Sequence, residues 1–202
     1  MKRSTKVRRR YQLGRRAETA DETKRRIVEA TFQLHGEQGI AATSMTDIAR
    51  RAGVSVGTVY HHFPSYTDTI VACAAYTVEH APAPTAAVFE GAASRAERIA
   101  RLAQALFEFY ERVPALSSVR RDRHMADVLD HVAREEARNR QALAGEAVGA
   151  DGPMALFAAL LDIDVYRALR RQGFGTAEAA ERVAAMVSLA MDSTAGAVRR
   201  ST

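Results

Sequence analysis

The residues best placed to do chemistry are Gly57, Thr58, Tyr60, His61 and His62, which follow Ser55 and Val56 without interruption by an acid. At about 100° per residue along a helix, Gly57 and His61 point away from Val59, and Thr58 and Tyr60 flank them. The outward face then carries a glycine, a hydroxyl, a phenol and an imidazole. That composition suits close approach to a polyanion. Gly57 lowers helix propensity by roughly 1 kcal/mol relative to alanine. Its presence makes sense where backbone must approach a sugar-phosphate strand. An ordinary helical hairpin has no need of Tyr-His-His on its outer face.

These side chains need two helices to position them. Met45, Ile48, Ala49 and Ala52 fall at i, i+3, i+4 and i+7, so a first helix has one apolar face. Ser44 precedes it and predicts an N-cap. Ala49 is small enough for a second helix to cross closely. Gly53 supplies the left-handed turn between them. Ser55 is the natural N-cap of the second helix, with Val59 and Phe63 as its inward anchors. This is a helix-turn-helix pattern, which lays its second helix in the DNA major groove. The candidate DNA contacts are Ser44, Thr46, Ser55, Val56, Gly57, Thr58, Tyr60, His61 and His62.

From about Thr23 to Ile70, the sequence resembles the DNA-binding domain of TetR-type repressors. Ile27, Ala30, Leu34 and Gly39 carry the resemblance in the first helix and its end. Thr43-Ser44, Asp47-Ile48-Ala49, Ala52-Gly53-Val54-Ser55, Gly57-Thr58-Val59-Tyr60 and His62-Phe63-Pro64-Ser65 continue it. The resemblance implies an all-α fold, with a three-helix DNA-binding domain and a C-terminal helical domain for ligand binding and dimerisation. It also implies a homodimer on a double-stranded operator. Three positions depart from the pattern. His35 replaces a core aromatic and is expected to pack half-buried as a flat ring. Tyr66 stands where a lysine usually touches a phosphate, and its phenol is expected to donate there without the charge. Thr69 replaces an aliphatic residue early in the fourth helix.

Composition narrows the classes. The chain has 202 residues, 47% of them hydrophobic, and a net charge of +5. Residues 1–66 carry 13 Lys+Arg against 6 Asp+Glu, or +7, and the remaining 136 carry 16 against 18, or −2. Residues 1–20 are expected to form a flexible basic arm with no acid before Glu18. Its Arg8, Arg9 and Arg10 either follow DNA phosphates and the minor groove or serve as a solubilising tail. Residues 21–66 form the DNA-binding domain in this reading, and 67–202 the regulatory domain. No apolar run approaches the roughly 20 residues that span a bilayer. The N-terminus lacks the apolar stretch of a signal peptide, so a cytoplasmic protein is expected. The lone Cys73 reads as core.

Helical periodicity runs through the rest. The first helix is predicted from about Asp21 to Gln38, and a fourth from about Tyr66 to His80, stopped by Ala81-Pro82-Ala83-Pro84. Ser94 and Glu97 have capping-box spacing for a helix whose stripe is Ile99, Leu102, Leu106, Phe109, Tyr110 and Val113. A link through Ser117-Ser118 is expected to reach a helix with Met125, Val128, Leu129 and Val132 on one face. Its charged continuation, Arg134 to Arg140, reads as solvated surface. Asp151-Gly152-Pro153 predicts the start of a helix running to about Arg171. Thr176 is expected to cap a last helix that ends near Val198.

The family resemblance makes Tyr76, Phe107, Tyr110, Met125, Phe157 and Tyr166 candidates to line a small-molecule pocket, although each also reads as core. It likewise makes Leu160, Leu161, Val187 and Met191 candidates for a dimer interface or for intramolecular packing. Asp162 and Asp164 interrupt an apolar helix and can pair with Arg170, pair with a partner subunit or face solvent. His80, His124 and His131 lack metal-ligand spacing, so no metal is expected, and no cofactor. There is no phosphate-cradling glycine loop, nucleophile elbow or metal motif, so an enzyme is not expected. The sequence reads as a DNA-binding regulator, a repressor released by a small-molecule effector. Its rival is an architectural DNA-binding dimer without a ligand.

Overall fold

The computed structural model describes the backbone of residues 4–198 and the side chains of residues 20–192. All regular structure among them is helical, as expected. The chain divides after Thr77 into two compact units.

The first unit contains α1 (Ser4–Glu37), α2 (Met45–Ala52), α3 (Val56–His62) and the start of α4 (Tyr66–His80). It therefore extends past residue 66 into α4. Ile70 and Cys73 of α4 are buried. The backbone of α1 begins at Ser4 rather than near Asp21. Between Ser4 and Ala20 the sequence has no proline and a single glycine, Gly14, so nothing there stops a helix. Ile27, Val28, Ala30 and Leu34 of α1 pack with Met45, Ile48, Ala49 and Ala52 of α2 and with Val59 and Phe63.

Polar ties close this unit. Arg26 of α1 donates to the carbonyl of Ala52, a group that the end of α2 would otherwise leave unpaired. Arg51 grips Glu37 with two bonds of 2.8 and 2.6 Å. The hydrogen bonds from Arg51 hold the Glu37 carboxyl below its ordinary pKa. Thr69 is buried and donates to the Tyr66 carbonyl at 2.7 Å, so its hydroxyl is satisfied inside the domain. Burial pushes the Cys73 thiol up to about 12, which bears out the core reading of that residue.

In the second unit, a 3-10 turn (Ala86–Phe89) precedes α5 (Arg95–Arg112). Every residue of the expected α5 stripe is buried, together with Ala103 and Phe107. Ser94 caps α5 at the amide of Glu97, and Glu97 reaches back to the amide of Ala93. Then come α6 (Leu116–Asp122), a 3-10 turn (Arg123–Met125), α7 (Asp127–Val148), α8 (Met154–Leu160), α9 (Ile163–Arg171) and α10 (Thr176–Val198). α10 packs along α5, and α7 packs on α5, α6 and α8.

Ser117 and Ser118 lie within α6, not in a link, and they donate to the carbonyls of Pro114 and Ala115. The helix expected from Asp151 to Arg171 is two helices broken at Leu161-Asp162. Asp162 causes the break by capping α9 at the amide of Asp164, 2.9 Å away. Thr176 is the first residue of α10, and its hydroxyl donates to Glu111 at 3.0 Å rather than to a cap.

Arg134–Arg140 is not all solvated surface. Arg140 is buried and donates from Nε to Glu136 Oε1 and from Nη2 to Asp162 Oδ2, both at 3.0 Å, and from Nη1 to the Ala158 carbonyl. Arg120 closes the cluster on Asp162 at 2.8 Å and Glu136 at 2.9 Å. Burial opposes the Arg120 charge, but the bonds to Asp162 and Glu136 outweigh it and raise its pKa. Tyr110 shares its proton between Glu136 and the Leu161 carbonyl. The periodicity hid this because Arg120 on α6 and Asp162 at the α8–α9 break lie far in sequence from Glu136 and Arg140 on α7. Removing one partner of a buried pair leaves the others uncompensated. Arg140→Met should therefore destabilise the second unit by about 3 kcal/mol. Urea denaturation followed by circular dichroism checks this, and a loss below about 1 kcal/mol would mean that the cluster is already solvated.

Candidate nucleic-acid interface

α2 and α3 form the expected helix pair. Ser44 accepts from the amide of Asp47 while Asp47 accepts from the amide of Ser44, a reciprocal cap at 3.2 Å each way. Asp47 was not among the expected caps, although its spacing from Ser44 is a legible signal. The Ser44 hydroxyl also donates to Asp47 at 2.5 Å, which lowers the pKa of that carboxyl. Ser44 is thus a cap whose proton is already committed. Thr46, beside it, is exposed. Gly53 ends α2 with φ +65°, in the left-handed region. Ser55 caps α3 at the amide of Thr58, 3.0 Å away, and the two hydroxyls bond to each other at 2.8 Å. That bond uses only one of their two protons, leaving the other for an outside acceptor.

Val59 is fully buried and Phe63 nearly so. They fix the rotation of α3, which leaves Gly57, Tyr60 and His61 outward. Val56, Thr58 and His62 are half-buried beside them. Tyr60 is 50% exposed, with its ring on the outward face. A Cβ at Gly57 would lie 3.7 Å from Ser55 Oγ, an ordinary contact, and the backbone there is not left-handed. Nothing inside the protein requires a glycine at this position.

Tyr66 behaves differently from its expectation. Its hydroxyl donates to the Ile40 carbonyl at 2.6 Å and lies 2.9 Å from His35 Nε2. The phenol has a single proton, so His35 must be the donor in the second bond. The expected donation from Tyr66 to a phosphate has no proton available. His35 is buried more deeply than expected, and its ring meets that of Tyr66 edge-on. A ring nitrogen and a phenol at these two positions, read together, are the signal that sequence reasoning missed.

The other candidates separate into groups. The side chains of Arg8, Arg9 and Arg10 lie outside the described residues. Tyr76 belongs to the first unit, where its ring lies tilted against that of Phe32, with centroids 5.6 Å apart. Phe107, Tyr110 and Tyr166 are brought together in the second unit, with ring centroids 5.0 to 6.3 Å apart. Phe157 is fully buried, while Met125 is half-exposed on a 3-10 turn. Leu161 and Val187 are fully buried inside their own unit, which removes them as interface candidates; Leu160 and Met191 are half-exposed. On α8 and α10 the exposed large apolar residues are instead Met154, Leu156, Met186 and Leu189.

Residues 27–69 match the family of bacterial regulatory proteins described as the tetR family. The first unit thus carries a segment of the TetR type. The chain is 39% identical over 49 residues to the HTH-type transcriptional regulator AcrR of Shigella flexneri, covering 24% of this chain and 23% of that protein. It is 35% identical over 69 residues to the HTH-type transcriptional repressor KstR of Mycolicibacterium smegmatis, covering 34% of each. These matches span about a quarter to a third of the curated relatives. The fold agreement is broader. A transcriptional regulator of the TetR/AcrR family from Thermobifida fusca superposes with TM-score 0.53 over 82% of this chain and 96% of that one, at 26% identity. A transcriptional regulator from Rhodococcus sp. Rha1 superposes with TM-score 0.63 over 81% and 95%, at 19% identity.

Gly57 allows folding and a role in DNA binding to be tested apart. Gly57→Ala should stabilise α3 by about 0.5–1 kcal/mol, because alanine is the better helix former and the site has room. If the backbone at Gly57 meets a sugar-phosphate strand, the added methyl group should at the same time weaken duplex binding. Thermal melting and fluorescence anisotropy read the two effects. Unchanged binding would remove Gly57 from the interface.

Proposed function

We propose that this chain is a DNA-binding transcriptional regulator of the TetR type, acting as a homodimer on a pseudo-palindromic operator. The observation that carries the reading is the acid-free outward face of α3, with Tyr60 half exposed and Gly57 unexplained by packing, held in place by buried Val59 and Phe63. The +7 charge of residues 1–66 supports it, since a basic balance favours a polyanion. Thr46, Ser55, Val56, Gly57, Thr58, Tyr60, His61 and His62 make the contacts. Arg8, Arg9 and Arg10 add phosphate attraction. Two copies are needed because one short helix reads too few base pairs. A two-fold pair reads half-sites about 34–36 Å apart or a multiple of that.

The dimer face is proposed on α8 and α10, which touch each other and leave Met154, Leu156, Met186 and Leu189 exposed. Repression, released by a small molecule that binds the second unit better in its DNA-incompetent state, completes the reading. No helix among the described residues is long and apolar enough to cross a membrane, which agrees with a place in the cytoplasm.

One observation favours an architectural dimer without a ligand. Phe107, Tyr110 and Tyr166 pack on one another, and the hydroxyls of both tyrosines are already bonded within the protein.

Selection of duplexes from fragmented genomic DNA by the purified chain tests the function. A recurrent inverted repeat is expected. Retention of random fragments with no preference would instead support the architectural reading. Leu189→Asp should shift the sedimenting species to a monomer and weaken selected-duplex binding at least tenfold. An unchanged dimer would move the interface elsewhere.

A further inference from the structure

We infer that Lys24 of α1 joins His61 and His62 of α3 in one phosphate-binding cluster, through which DNA affinity rises as pH falls. The inference rests on the reading of α3 as the DNA-facing helix and adds to it a residue from a different element and a proton linkage.

Three observations place the cluster. The Lys24 ammonium lies 5.9 Å from the ring centroid of Phe63, the residue that ends α3. The His61 and His62 rings meet edge to face at 5.3 Å. His62 feels both neighbours: burial lowers its pKa first, then the charges of His61 and Lys24. The acid that opens α4, Asp68, is committed to the amide and hydroxyl of Ser65. The acid at the start of α2, Asp47, is committed to Ser44 and Arg50. None of the described ion pairs takes Lys24. Lys24 and two imidazoles therefore gather at one end of α3, and no described ion pair joins Lys24 to a carboxylate.

Such a cluster repels itself when free and is relieved by a phosphate. In the free chain the His62 pKa is depressed, so its contribution to folding stability is present above the ordinary histidine range and is lost as pH falls through the folded value. A bound phosphate acts in the opposite direction and raises the histidine pKa. The added affinity is fully present below the free-chain pKa and is lost as pH rises through the bound one. Acidification thus weakens the free domain and strengthens the complex.

The test uses the full chain and a fluorescent random-sequence duplex, because phosphate contacts do not depend on sequence. Affinity is measured between 50 and 200 mM salt at about pH 6 and about pH 8, where histidine changes charge. For the wild type, the salt slope should be steeper at the lower pH. Lys24→Gln should reduce the slope by about one unit at both pH values, about a three- to fourfold smaller loss of affinity over that salt range. In the free protein, Lys24→Gln should also raise the His62 pKa observed by NMR, a readout that a merely structural role would not move. His62→Gln should reduce the pH dependence. Equal salt slopes for wild type and Lys24→Gln, with duplex binding intact, would overturn the cluster and leave the DNA-binding reading standing. Equal wild-type slopes at the two pH values would overturn the proton linkage. Failure of the wild type to bind any duplex would overturn both readings.

Discussion

A helix of seven residues has no stability of its own in water, because the cost of nucleation exceeds what so few hydrogen bonds return. α3 is such a helix. It exists because Val59 and Phe63 are buried against α1 and α2, each worth about 1.5–3 kcal/mol of apolar transfer. That burial also sets which way the helix faces. Rotating α3 by one residue would turn Val59 out and bring a polar neighbour in, so the face that α3 turns outward is a consequence of core packing. Both caps act in the same direction, with Ser44 and Asp47 opening α2 and Ser55 opening α3.

The two units solve different problems. The first keeps an apolar core and uses polar groups to tie its ends: Arg26 on the close of α2, Arg51 on Glu37, and His35 through Tyr66 to the Ile40 carbonyl. Each tie spans at least 14 residues of sequence and links α1 or the loop after it to another helix. The second unit buries charge. Arg120, Glu136, Arg140 and Asp162 compensate one another where α6, α7 and the α8–α9 break meet. Such a cluster adds little net stability over a well-packed apolar one, but it penalises any arrangement that separates its members.

Much of the first unit was legible because its signals are local. A hydroxyl before an apolar run, a glycine after it and an i, i+3, i+4 stripe identify α2 and α3 with their caps. The same logic located α4 and the α5 stripe. What escaped was long-range. Tyr66 reads as an outward donor until its partners at positions 35 and 40 are known. Arg140 reads as surface until Glu136 and Asp162 converge on it. The break in the helix expected from 151 to 171 was hidden because Asp162 is a poor stop signal in sequence and becomes one only when capping and ion pairing act together. Leu161 and Val187 show the same limit: apolar periodicity gives a face, but not whether that face meets its own unit or another copy.

Backbone hydrogen exchange on the full chain, free and bound to a selected duplex, tests the central claim most directly. The first amides of a helix lack intrahelical acceptors and exchange readily. If α2 and α3 present their N-termini and the outer face of α3 to phosphates, slowed exchange should concentrate at Met45–Asp47 and Val56–His62. Slowing confined to the second unit, or spread evenly over the chain, would contradict the account.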